Sequence, residues 1–347
     1  MIRKNYLSAK MFGKQPAYVL CLLSVVAVLL QAGAVQGGSI KKCLCDGKVI
    51  YTDRGCPCEQ PEDDVEHLSD LLNEAIGYYT GTSGGVETEE AGGLFTELAE
   101  HGNVLAKMWL ARCHIKGTAG ITKNKKYASE IAGSVIEKVK ELAEDGDSRA
   151  MFLLGDAFQQ NLGVSKNYKK AFFWHRKGCA KGEAISCGNL GSMYINGQGV
   201  SPDAKEALRL YRKACDMKYY HGCFAIGSLY ENGRGVIRDY RKALEFYRKS
   251  CDGGDVSGCN NLAELLMNGK GVKQDYNKAA ELYQKACDRG EFKACNSLGT
   301  MYTRGYGLRR NYQKAIQLYR KACDGGEKKG CKNLSVNCAR YKSDYCP

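Results

Sequence analysis

Ten cysteines in the second half of this chain recur as five pairs: Cys179/Cys187, Cys215/Cys223, Cys251/Cys259, Cys287/Cys295 and Cys323/Cys331. Members of a pair lie 8 residues apart, and successive pairs lie 36 apart. A compact enzyme core has no use for such a period. A stack of like units does, because each unit buries its apolar face only against its neighbours. The spacing therefore points to a solenoid and moves the functional question from catalytic residues to a surface.

One unit, from Cys223 to Cys251, shows the pattern. A first helix (A) carries CFAIGSLYENG and ends at Gly233-Arg234-Gly235-Val236, where glycine is free to take the left-handed closing conformation. Asp239 then caps a second helix (B), YRKALEFYRKSC, and Asn167, Asp203, Asp275 and Asn311 hold the equivalent place. Helix A keeps a small residue at Gly155, Gly191, Gly227, Ala263 and Gly299, so that its partner can come close. Helix B repeats an aromatic at Tyr211, Tyr247, Tyr283 and Tyr319, with His175 in the matching position, so most of the tyrosines belong to the solenoid core. Ala143 and Met151 stand where an earlier cysteine pair would fall, so that unit has no staple. Residues 105–142 fit a hairpin with a longer insert, and a last helix A begins near Cys331, before a tail holding Cys338 and Cys346.

The start of the chain has the layout of an export signal. Arg3, Lys4, Lys10 and Lys14 precede the short apolar run Val19–Leu30, and Ala32-Gly33-Ala34 offers a small-x-small cleavage site. Removal of residues 1–34 lowers the formal charge from +13 to +9 and leaves 17 of the 18 cysteines, an abundance that fits an oxidising compartment. Residues 35–61 form a small cysteine-rich β-hairpin module, with Asp46-Gly47 as a turn before the strand-like Lys48–Thr52. It is similar to short bacterial envelope modules carrying a Gly-Lys-Val-x-Tyr-(Ser/Thr)-Asp signature. Val65, Leu68, Leu72 and Ile76 mark a short acidic helix over 62–76, and the glycine-rich Gly77–Gly93 reads as a flexible linker.

The string A-x-x-x-LG-x-x-Y-x-x-G-x-GV-x-x-D-x-x-KA-x-x-x-Y-x-KA resembles the Sel-like repeat family, relatives of the tetratricopeptide repeats. The added cysteines resemble the Helicobacter cysteine-rich proteins, a secreted branch of it. The resemblance covers Gly146–Cys331 closely and Phe95–Asp145 loosely. It implies an all-α fold, a right-handed solenoid of α/α hairpins over residues 95–347, each hairpin cross-linked by a disulfide. It also implies either a peptide or protein binder outside the cell or, as described for some members, a penicillin-binding or weak β-lactamase activity.

Each first cysteine ends a helix B and each second one opens the next helix A, so a short turn brings them together. Pairing across one hairpin, as Cys187 with Cys215, is also geometrically open; the short loop and the resemblance favour the offset of 8. The pairs lack metal-ligand spacing and no histidines recur with them, so neither a metal nor a cofactor is expected. Cys43, Cys45, Cys56 and Cys58 fit two disulfides or a zinc cluster, with export favouring disulfides. Cys338 and Cys346 are expected to fasten the C-terminus, which leaves Cys113 as a buried thiol rather than a redox centre.

A serine β-lactamase needs Ser-x-x-Lys, Ser-Asp-Asn and Lys-Thr-Gly; only Ser39–Lys42 fits the first, and the other two are missing. The five histidines are scattered. Recognition is better placed on the helix A face lining a concave groove, at Asn189, Ala225, Asn261, Ser297 and Asn333 and, seven residues on, at Asn196, Asn232, Asn268 and Arg304. Amide side chains there can donate to and accept from the backbone of an extended peptide. Asn196, Asn232 and Asn268 also precede a glycine, and helix termination accounts for them better than recognition does. Basic pairs such as Arg212-Lys213 and Arg248-Lys249 close helix B, where cations suit the helix dipole better than they suit nucleic acid. The expectation is an exported monomer, without a membrane span after cleavage, that binds a protein or peptide and performs no catalysis.

Overall fold

The computed structural model describes residues 41–45, 48–52, 62–80, 88–341 and 346. The export signal and the pairing of Cys43, Cys45, Cys56 and Cys58 lie outside what it describes. The chain divides into two compact units, 1–64 and 65–347. In the first, β1 (Lys41–Cys45) and β2 (Lys48–Thr52) pair antiparallel, with Cys45 opposite Lys48. That register leaves the two residues Asp46-Gly47 as the connection, a pair well suited to a tight hairpin.

Helix α1 spans Glu62–Thr80 and α2 spans Thr88–Glu100. The expected linker over 77–93 is thus helical at both ends. Its glycines suggested flexibility, but apolar anchors at helical spacing override them: Tyr79 packs on Phe95 and Trp109, while Ala91, Phe95 and Leu98 bury the inner side of α2. Gly92 meets the Ala119 carbonyl at a distance no side chain would tolerate, so its lack of a Cβ serves packing.

From there the chain alternates A and B helices. The A helices are α3 (Val104–Lys116), α5 (Ser148–Gln160), α7 (Ala184–Asn196), α9 (Tyr220–Asn232), α11 (Val256–Asn268), α13 (Phe292–Arg304) and α15 (Lys328–Tyr341). The B helices are α4 (Lys125–Glu144), α6 (Tyr168–Ala180), α8 (Ala204–Asp216), α10 (Tyr240–Asp252), α12 (Tyr276–Asp288) and α14 (Tyr312–Asp324). The punctuation read from the sequence is in place. Asn167, Asp203, Asp239, Asp275 and Asn311 each accept a backbone N–H from the first turn of a B helix. Gly197, Gly233, Gly269 and Gly305 close A helices in the left-handed conformation. Each helix packs on its sequence neighbours. Successive A helices also approach one another, as α3 does α5 and α9 does α11. Crowding along the A side puts these helices on the inner, concave face of the stack.

All five repeat pairs are bonded at the offset of 8: Cys179–Cys187, Cys215–Cys223, Cys251–Cys259, Cys287–Cys295 and Cys323–Cys331, with Cα atoms 4.4–4.9 Å apart. The alternative pairing across one hairpin is thereby excluded. Cys259 and Cys295 are fully buried, at 0% exposure, within the apolar cluster that holds Leu262 and Leu298. Cys187 and Cys223 are buried to the same degree. The reason is register: Cys259 is the fourth residue of α11 and Cys295 the fourth of α13, so each sits a full turn inside its helix, on the side packed against the preceding B helix. Cys338 bonds Cys346, and Cys113 is a buried free thiol whose pKa burial raises. Among the described residues no helix is long and apolar enough to cross a membrane.

Candidate binding groove

Three positions per A helix face the concave side, spaced i, i+3 and i+7. The first row runs Trp109, Leu153, Asn189, Ala225, Asn261, Ser297, Asn333; the second Arg112, Asp156, Ser192, Ser228, Glu264, Thr300, Val336; the third Lys116, Gln160, Asn196, Asn232, Asn268, Arg304, Arg340. The staple cysteines are not part of this face. Cys259 and Cys295, two residues before Asn261 and Ser297, turn into the core and present no sulfur to a ligand.

The tyrosines of α8, α10 and α14, Tyr211, Tyr247 and Tyr319, reach through to the facing A helix. A Cβ on Gly191 would sit 2.8 Å from the Tyr211 ring, and one on Gly227 2.6 Å from Tyr247, so the missing side chains make that passage. The buried hydroxyls hydrogen-bond side chains of the A helices. Tyr211 Oη and Ser192 Oγ are 3.0 Å apart, and Tyr319 Oη donates to Thr300 Oγ1 at 3.2 Å. Tyr247 Oη donates to Glu231 Oε2 at 2.7 Å and accepts from Asn261 Nδ2 at 3.1 Å. Burial raises the pKa of Tyr211, Tyr247 and Tyr283, so the phenols stay neutral. Sequence reading placed these tyrosines in the core, which is right for the rings. It missed the hydroxyls, although Tyr recurring where Phe would fill the same space was the available sign.

The asparagines differ in what remains free. Asn261 is committed to Tyr247 and also accepts from Asn260 Nδ2 at 3.1 Å. Asn333 donates to Asn296 Oδ1 at 2.7 Å. Asn232 and Asn268 donate to the carbonyls of Ser228 and Glu264 four residues back, the helix-end role. Asn196 is exposed, while Asn189 is half-buried at the groove floor. Between α7 and α9 the floor opens into a cleft of about 420 Å³. Ile195, Phe224 and Leu229 give it apolar surface, and Ser192, Ser228 and Asn232 give it hydrogen-bonding groups. His221 at its edge is held by Asp255, with Nδ1 2.9 Å from Oδ2.

In the first two units the same face is covered. Trp109 and Leu153, the first-row residues there, are each 1% exposed. Helix α1 lies over them. Tyr79 packs 5.3 Å from the Trp109 ring and 5.1 Å from the Arg112 guanidinium. Arg149, which matches His221 of the open cleft, donates to Asn73 at 3.1 Å and Ser69 at 3.3 Å on α1. Beneath, Arg112 Nε donates to Asp156 Oδ2 at 2.9 Å, an ion pair sealed from solvent. Burial opposes the Asp156 carboxylate, but the Arg112 guanidinium holds its pKa below the ordinary value. His175, fully buried against Phe152 and Gly155, is pulled down to about 4 by burial, so its ring is neutral at pH 7. Among the described residues no cluster of His, Cys, Asp and Glu has the makings of a metal site.

Stacked helical hairpins with one inner face partly open define a repeat scaffold of the helical-solenoid class. The chain belongs to the Sel1 repeat family, whose model matches residues 104–128, 148–183, 184–219, 221–255, 256–291 and 292–327. Among solved structures it is similar to a Sel1 repeat protein from Oxalobacter formigenes, at 27% identity over 60% of this chain and 91% of that one, with a TM-score of 0.55. It is also similar to the cysteine-rich protein B of Helicobacter pylori, at 33% identity over 37% of this chain and 92% of that one, with a TM-score of 0.32. A third is c5321, a protective antigen of uropathogenic Escherichia coli, at 20% identity over 80% and 73% of the two chains and a TM-score of 0.38. No curated protein matches this sequence.

Proposed function

We propose that the chain is an exported scaffold that binds a protein segment in extended form along the open part of its groove. The observation that carries this is the cleft between α7 and α9, where apolar floor and hydrogen-bonding groups alternate, on the helix face that also carries the half-buried Asn189. Apolar pockets with few convergent polar groups are the usual form of a binding site. The polar rows of α11 to α15 continue the track. Export fits the five staples, which a reducing cytosol would not sustain.

The test is selection of displayed random peptides on the immobilised, oxidised protein. Selected peptides should lose affinity for Ala225→Arg, which fills the cleft, and for Asn189→Ala, both with unchanged circular dichroism. Failure to select any peptide, or equal affinity for Ala225→Arg, would remove the groove reading.

A further inference from the structure

The charge of the chain is unevenly placed. Residues 35–291 carry 35 basic and 35 acidic side chains, whereas residues 292–347 carry 12 basic and 3 acidic. The whole excess of +9 left after removal of residues 1–34 thus sits in the last repeat and the tail. Part of it is gathered at the concave face. In the third row the residue just before the closing turn is Asn in α7, α9 and α11, then becomes Arg304 in α13 and Arg340 in α15. These two arginines and Arg310 line a single cleft of about 550 Å³ with Tyr306, Asn337 and Tyr341, and among the described residues no acidic side chain lines it.

Among the described residues, the neighbours that orient the three guanidinium groups carry no opposing charge. Arg304 Nη1 donates to the Tyr306 hydroxyl at 3.3 Å, and Arg310 Nε donates to the Arg304 carbonyl at 3.2 Å. The Arg340 guanidinium lies 6.0 Å from the centre of the Tyr341 ring. Helix termination does not require arginine at these positions, since Asn232 and Asn268 do that work by bonding back four residues. Like charges gathered in one concavity repel, and an anion relieves them. A planar guanidinium fork matches a carboxylate through two parallel hydrogen bonds, so several of them favour a carboxylate-bearing ligand.

The geometry points to an acidic-peptide subsite here: a run of Asp or Glu side chains docks on Arg304, Arg310 and Arg340 at the C-terminal end of the groove. This rests on the groove reading above and adds to it a polarity, with the acidic part of the bound segment lying over α13 and α15 and the rest extending toward α7.

The experiment measures fluorescence anisotropy of a short labelled peptide rich in Asp and Glu, beside its Asn/Gln counterpart, on the full oxidised protein. The acidic peptide should bind more tightly. Arg304→Gln/Arg340→Gln should weaken it by roughly tenfold or more, and added salt should weaken it in the wild type. Arg212→Gln/Lys213→Gln, on the outer B helices, should leave it unchanged. Four results overturn the subsite: equal binding of both peptides, an equal loss in the outer control, binding of anionic phosphatidylglycerol vesicles with no binding of the acidic peptide, or salt-sensitive self-association of the protein in place of peptide binding. Ala225→Arg, measured on the peptides selected above, keeps the two readings apart. If it abolishes their binding while Arg304→Gln/Arg340→Gln does nothing, only the subsite fails.

Discussion

The first two repeats and the later ones solve the same problem with different chemistry. Within α1 to α5 the described residues hold no staple. One continuous core runs from Leu72 through Trp109 and Phe152 to Trp174, an extra helix closes the concave side, and an ion pair lies beneath it. From α7 onward the apolar clusters are smaller and separate, and cysteines such as Cys259 and Cys295 are part of them. The groove there is polar and open. A thin hairpin unit that leaves one face to water gives up burial. The disulfide restores stability by restricting the unfolded chain, without filling the face that must stay free. Where the face is closed by α1, burial suffices.

The comparison breaks first at Trp109. It stacks on Phe95 and touches Tyr79 and Phe152, so Trp109→Ala should cost about 3–5 kcal/mol. Hydrogen exchange should show the loss in α1 to α5 and leave the stapled helices protected. Equal loss of protection along the whole chain would mean that the two regions are one cooperative unit.

Acid should act on the same region next. The His175 imidazole takes up a proton near pH 6.5 when unfolded and near pH 4 when folded. Between those values the unfolded state binds more protons, so stability falls as pH falls through this window, by about 3 kcal/mol in total. His175→Tyr, which installs the residue of the later units, should flatten the profile from pH 6.5 to 4 in denaturant titrations. An unchanged slope would assign acid sensitivity elsewhere.

The staples test the other side. Each closes a loop of 8 residues, for which chain entropy gives about 2–3 kcal/mol. Cys251→Ala/Cys259→Ala should open α10 and α11 to exchange, whereas a reductant should loosen α7 to α15 and spare α3 to α5.

Much of this division was legible in the sequence. The period, the caps and the pairing offset follow from local rules that each unit obeys by itself, so Asp239 or Gly233 announces its role from its neighbours alone. The missing pair at Ala143 and Met151 likewise announced an unstapled unit. What could not be read were contacts between distant segments. Nothing near Gly77–Gly93 says that Tyr79 will lie on Trp109, because the stabilising partner is thirty residues away. Nothing near Asn261 says that the Tyr247 phenol will take its amide. The depth of Cys259 and Cys295 was hidden for the same cause, since it depends on how closely neighbouring helices pack around them. Asn189 was proposed from its place in the row, and nothing local says that it stays half-buried while Trp109 and Leu153 of the same row are fully buried.

The smallest effect is the one on which the two regions should agree. Asn124 caps α4 in the unstapled part by accepting from Tyr127 N, and Asp239 caps α10 in the stapled part by accepting from Arg241 N and Lys242 N. A cap works within one turn and senses neither α1 nor a disulfide, so Asn124→Ala and Asp239→Ala should each cost about 1 kcal/mol. Chemical denaturation of the two variants measures it. A clear excess at Asp239 would show that the staple, by fixing the far end of the same helix, makes the stapled units depend on their caps more than the buried ones do, and the division between the regions would then reach down to single helices.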